Sequence, residues 1–203
     1  MTVTPNDVIP LSDLQLTHDL FSITVKTALK LTPHIVDRPD LHGRDVMERF
    51  YNVLNGEIAE QAVIAYLHRQ GKFAESAVDK DAARPDLGHD IHVRRLDGTQ
   101  ATCSIKSSLS YKFGVEGILR NFRPAFKPSE LREFNIQVYY HYTLDQPPRL
   151  TLPAFSGADI IGWGSLEDLS IVSATAYQGE QRKVVDIRLA QMSPMAALLR
   201  LLS

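Results

Sequence analysis

The chain has 203 residues, 44% of them apolar and 23% charged, a balance that allows a buried core and excludes a disordered or low-complexity polymer. A net charge of −2 does not advertise a nucleic-acid partner, and the single cysteine, Cys103, excludes an internal disulfide. No segment reaches the roughly 20 apolar residues of a membrane span, and the start MTVTPNDVIP carries no signal-peptide pattern, so a cytoplasmic protein without membrane association is expected.

Residues 1–45 read as a helical extension. Ser12 is placed to cap a helix through LQLTHDLFSITVKTALKL, which Pro33 stops. After a loop with Pro39 and Gly43 come a short helix, RDVMERFYNVL, and a longer one, GEIAEQAVIAYLHRQ, ended by Gly71. Ile58, Ala62, Ala65 and Tyr66 share one face of the longer helix. FAESAV reads as a strand.

Two alternating runs then flank Asp97-Gly98, the mark of a hairpin. Ile91 and Val93 share a face of the first strand, and Cys103 and Ile105 share a face of the second. For both apolar pairs to face one core, paired residue numbers must sum to an even value. A two-residue turn would pair 96 with 99 and break that rule. A three-residue loop with Gly98 in the left-handed conformation satisfies it. Asp90, His92, Ser104 and Lys106 then project from the opposite face.

VEGILRNF is expected as a helix and NIQVYYHY as a strand. In residues 143–203, DIIGWG, LSIVSATAY and KVVDIRLA read as strands, and Ser193-Pro194 starts a last helix, MAALLRLL. The expected class is α/β, an α+β mixed sheet with helices on both faces, in one domain.

The chemistry-bearing residues cluster on the hairpin. Hydrolysing a phosphodiester requires an activated water, neutralised phosphate charge and a stabilised leaving oxygen. Carboxylates that gather Mg²⁺ beside a lysine meet those needs. Asp90 opens the first strand in Gly88-His89-Asp90-Ile91, and Lys106 closes Ser104-Ile105-Lys106 on the second. The upstream helix carries Glu60, six residues before Tyr66, with Glu57 about one turn earlier. His89 and His92 flank Asp90, but no Cys/His set has zinc spacing. Cys103 is expected in the core, and Tyr139, Tyr140 and Tyr142 in sheet packing rather than base stacking.

This order of helix, Asp, hairpin and lysine resembles the PD-(D/E)xK nuclease superfamily, in particular type II restriction endonucleases. The run IKSS is similar to the family's frequent VKSS ending, and the likeness covers roughly residues 50–142. It implies a restriction endonuclease-like core and a metal-dependent endonuclease acting on double-stranded DNA. Asp90 would hold Mg²⁺, with Mn²⁺ as a substitute, and Asp86 in Arg84-Pro85-Asp86 matches the literal PD. Ser104 stands where the family has Asp or Glu. Some restriction enzymes of the family have S-x-K with the acid moved to the following helix, which points to Glu116 as the second carboxylate, with Glu60 as its rival. Lys106 would orient and activate water, and Ser104 would contribute a hydroxyl. Lys112, Arg120 and Arg123, within a basic stretch from Lys106 to Arg132, would meet phosphate or else form a solvated surface. The resemblance further implies a homodimer, and a cognate methyltransferase or partner subunit from a restriction-modification context. The missing acid at Ser104 leaves a second reading open: a catalytically inactive nuclease fold acting as a DNA-binding or assembly subunit.

Overall fold

The computed structural model describes residues 2–10, 18–35, 44–77, 90–110, 113–142, 155–170, 175–177, 180–184 and 187–203. The expected Ser12 cap, Pro39, Gly43, Asp86, His89 and Lys112 lie outside them.

Helix α1 spans His18–Leu31 and passes into a 3-10 turn at Thr32–His34, which contains Pro33. Helix α2 spans Val46–Arg69 without interruption, where the sequence predicts two helices divided near Gly56. A glycine inside a helix costs about 1 kcal/mol, and burial of Ile58, Ala59, Ala62, Val63 and Leu67 outweighs it. Asp45 caps the start by accepting the Glu48 amide at 2.8 Å. At the other end, Lys72 N donates to Leu67 O and Gly71 N to His68 O, with Gly71 at φ 69°. That is the Schellman termination expected of Gly71.

Strands β1 (Ile9–Pro10), β2 (Ala74–Ser76), β3 (Ile91–Arg94), β4 (Gln100–Ser110), β5 (Phe134–Tyr142) and β6 (Phe155–Ser165) form one sheet in the order β1-β6-β5-β4-β3-β2. Only β4 and β5 run parallel, and the crossover between them carries helix α3 (Val115–Asn121). The other pairs are antiparallel, so the sheet is mixed. Both edge strands are short, and Pro10 sits on one of them, which limits edge-to-edge pairing. Beyond the sheet, β7 (Thr175–Tyr177) and β8 (Glu180–Val184) pair with each other.

Two apolar layers cover the sheet. On one face Ile58, Ala62, Val63 and Leu67 of α2, with Met195 and Leu198 of α5 (Met195–Leu199), pack on Ile91, Val93, Cys103, Ile105, Ile136 and Ile160. On the other face Ile118 and Leu119 of α3 join Phe126, Leu131, Tyr139, Ile161 and Leu169. Helices on both faces of a mixed sheet are thus present as expected. No helix of the described residues is long and apolar enough to cross a membrane.

The tail differs from its expected strands. Leu166–Ser170, at the start of the expected strand LSIVSATAY and its approach, form a short helix, α4, and among the described residues of that run Thr175–Tyr177 is strand. Ser165 and Asp168 form a side-chain cap there: Asp168 N donates to Ser165 Oγ at 3.0 Å, and that hydroxyl donates to Asp168 Oδ2 at 2.8 Å. Among the described residues of KVVDIRLA, Lys183 and Val184 belong to β8, and the run ends in a 3-10 turn at Leu189–Gln191.

Candidate functional site on the hairpin face

The β3–β4 hairpin has the register that its alternating pattern demands. Ile91 pairs with Cys103, His92 with Thr102, Val93 with Ala101 and Arg94 with Gln100. Arg95 N donates to Thr99 O across a loop of Leu96, Asp97 and Gly98, with Gly98 at φ 84°. Asp97 Oδ1 accepts from Thr99 N and Thr99 Oγ1 at 2.9 and 2.6 Å, which holds its carboxyl below the ordinary range. Every odd-numbered side chain from Ile91 to Val93 and from Ala101 to Ile105 is buried on the α2 face. Asp90, His92, Ser104 and Lys106 therefore share the face covered by α3.

Asp90 meets β4 directly. Its amide donates to Cys103 O at 3.0 Å. Its Oδ2 accepts from the Ile105 amide at 2.5 Å and from the Ser104 hydroxyl at 3.3 Å. Asp90 immediately precedes β3, so beyond the start of that strand the carboxylate takes the place of a backbone partner for β4. Asp90 is thus a strand-initiating residue as well as a site candidate. Asp90 supplies a carboxylate, the kind of oxygen ligand that suits a hard cation such as Mg²⁺, and Ser104 hydrogen-bonds to it. Cys103, facing the other way, is fully buried, and burial first and the Asp90 charge second push its thiol well up. That removes it from consideration as a nucleophile.

Lys106 is half-buried, and its Nζ lies 3.3 Å from Glu130 Oε2. Glu130 ends a 3-10 turn, Pro128–Glu130, in the segment between α3 and β5. That segment is tied down on both sides by buried amides of β5. Gln137 accepts from Ala125 N at 2.9 Å and donates to Lys106 O at 3.0 Å. Asn135 accepts from Arg132 N at 2.8 Å and donates to Arg132 O at 2.6 Å. Phe126 and Leu131 are buried between these anchors. The result is an arch, residues 125–132, over the even-numbered face, with Glu130 against Lys106.

The remaining candidates are spread more widely. Glu116 lies in the first turn of α3, on the Lys106 side of the sheet, and is exposed. Glu57 and Glu60 are both buried, on α2, which packs on the reverse face. Their burial differs from the solvated surface that is the usual fate of helical glutamates. Arg120 and Arg123 are exposed at the end of α3 and just beyond it. Among the described residues, no three His, Cys, Asp or Glu side chains gather into a group that could hold a metal ion.

Glu130 lies within the basic stretch from Lys106 to Arg132 and belongs to no sequence motif. Its place beside Lys106 depends on the parallel β4–β5 register and on the arch anchors, neither of which leaves a local motif. The single usable signal is the pair of amides, Asn135 and Gln137, on a strand otherwise rich in apolar and aromatic residues. A buried amide requires partners, and here those partners are the arch backbone. A second pair was also missed: His141 of β5 and Asp159 of β6 form a close ion pair on the same face of the sheet. The hydrogen bond to Asp159 is the main cause that raises the His141 pKa.

Comparison of the chain with family models, with curated proteins and with solved structures gives no match.

Proposed function

We propose that the protein is a metal-dependent endonuclease of the PD-(D/E)xK type that hydrolyses double-stranded DNA, in a restriction or similar defence role. The observation that carries this reading is the hairpin register, which brings Asp90 against Ser104 with Lys106 next on the same face. The succession of buried helix, mixed sheet and crossover supports a restriction endonuclease-like core for residues 50–142.

Asp90 and a second carboxylate would hold Mg²⁺ or Mn²⁺. Glu116 lies on the Lys106 side of the sheet, whereas Glu60 lies on α2 at the reverse face, so Glu116 is the ligand proposed, with Asp86 as a further candidate. The ion, when bound, supplies Lewis-acid stabilisation of the phosphate and acidifies water. Lys106 orients the attacking water and offsets phosphate charge through its ammonium group. Ser104 contributes a neutral hydroxyl beside Asp90, so it can orient an oxygen without adding charge. Arg120 and Arg123, with Lys112, meet the DNA backbone. A homodimer would apply two such sites symmetrically to a palindrome, with a cognate methyltransferase or partner subunit completing a restriction-modification pair.

The test is metal-dependent cleavage of duplex DNA by wild type and by Asp90→Asn and Lys106→Ala. Loss of cutting in both variants, with folding retained, is expected. Cutting by both at the wild-type rate would overturn the site assignment.

A second reading, an inactive nuclease fold used for DNA binding or assembly, is favoured by a specific feature. Ser104 replaces the family acid, and no carboxylate cluster stands in for it among the described residues. Duplex binding that survives chelation, with no cutting under Mg²⁺ or Mn²⁺, would select this reading.

A further inference from the structure

Lys106 is already engaged by an anion, and that anion belongs to the protein. Glu130 Oε2 lies 3.3 Å from Lys106 Nζ, and both side chains are half-buried. A carboxylate and a phosphodiester present the same feature to an ammonium group: anionic oxygen at hydrogen-bonding distance. Lys106 cannot serve both fully.

We infer that Glu130 is an acidic latch, occupying against Lys106 the place that a substrate phosphate takes, so that the phosphate binds by displacing it. The substrate named here rests on the nuclease reading; the latch itself rests on the Lys106–Glu130 pair and the arch. The arch explains how displacement occurs without unfolding. Gln137 holds Ala125, and Asn135 holds Arg132, while Phe126 and Leu131 are buried below. The backbone on either side of the 3-10 turn is thus fixed, and only the Glu130 side chain has to turn away. A partly exposed ion pair of this kind favours the closed state by a factor of about two to five. The latch lowers affinity for every phosphate ligand by that same factor, a cost that a ligand with several phosphates offsets through its other contacts, as a nucleic-acid backbone does.

Glu130→Gln keeps the shape and removes the charge. The experiment measures binding of a short DNA duplex, by fluorescence anisotropy in Ca²⁺, to wild type, Glu130→Gln, Lys106→Ala and the double variant. In parallel, inorganic phosphate is titrated against each while the Lys106 ammonium is followed by NMR in the proteins that retain it. Circular dichroism checks that each variant folds. The latch predicts about two- to fivefold tighter duplex binding by Glu130→Gln, and this gain vanishes when Lys106 is also replaced. Duplex binding that is equal or weaker in Glu130→Gln overturns the latch and leaves the nuclease reading standing. If such a variant also loses cleavage, Glu130 is part of the catalytic machinery instead. If no protein binds the duplex, the nuclease reading fails, and phosphate decides the latch. A larger phosphate response of Lys106 in Glu130→Gln supports it, and an unchanged response overturns it.

Discussion

Asp90 has two duties that a single substitution would confuse. Its Oδ2 accepts the Ile105 amide at 2.5 Å, so removing the side chain strands a donor on β4 as well as deleting a carboxylate. Asp90→Ala is expected to cost about 1–3 kcal/mol of stability, measurable by urea unfolding. Asp90→Asn retains an oxygen acceptor and should unfold within about 1 kcal/mol of wild type, yet lose metal-dependent cleavage. An Asn variant as unstable as Ala would mean that the charge, and not the acceptor, anchors β4. Gly98 makes a simpler case. At φ 84° it adopts a conformation that side chains disfavour, and Gly98→Ala should cost about 1 kcal/mol with no change at the site face. At this scale the sequence was informative wherever a local rule was strict. The even-sum requirement on Ile91, Val93, Cys103 and Ile105 forced the loop, and the loop forced Asp90 and Lys106 onto one face. Glu130 obeys no such rule. It reaches Lys106 across 24 positions of chain through a crossover, and only three-dimensional register brings them together.

At the scale of elements, strand β5 organises the face that carries the candidates. Asn135 and Gln137 are fully buried, and each spends its amide on the arch or on a neighbouring strand. Gln137→Leu should lower stability by about 1–3 kcal/mol, because Ala125 N and Lys106 O both lose a partner. It should also loosen the Glu130 contact, which hydrogen exchange across residues 125–132 would detect. Farther along β5, His141 pairs with Asp159 of β6, and its pKa is raised above the ordinary 6.5, chiefly by that hydrogen bond. The stability it contributes is complete below the unfolded pKa of 6.5 and is lost as pH rises through the higher folded value. Comparing wild type with His141→Asn by thermal unfolding, the gap should be widest in mildly acidic solution and close at alkaline pH. A gap independent of pH would show that the pair acts only by packing. Element types were legible where periodicity was sustained, as in α1, α3 and β5. They were misread where one residue carried undue weight. Gly56 suggested a helix break that burial of α2 overrides, and the apolar letters of LSIVSATAY concealed the Ser165–Asp168 cap that starts a helix.

At the scale of the molecule, the main sheet of the described residues has six strands between two apolar layers, and the two faces differ. On the α2 side the strands present an almost wholly apolar surface. The α3 side mixes core residues such as Tyr139 with a polar row of Ser104, Lys106, Asn135 and Gln137, bridged by the arch. Within that row Asn135 and Gln137 anchor the arch backbone, and the proposed function gives roles only to Ser104 and Lys106. The class of fold was legible because helices flank strands along the whole chain. The identity of the proposed second carboxylate was not, because Glu60 and Glu116 occupy a buried helix and an exposed helix start, two environments that local spacing does not distinguish.

The most direct test of the central claim is incubation of the purified protein with plasmid and bacteriophage DNA in Mg²⁺ or Mn²⁺, with and without chelator, beside Lys106→Ala. The account predicts discrete fragments that require the metal and vanish in the variant. Equal cutting by wild type and Lys106→Ala would contradict it and remove the hairpin face as the site.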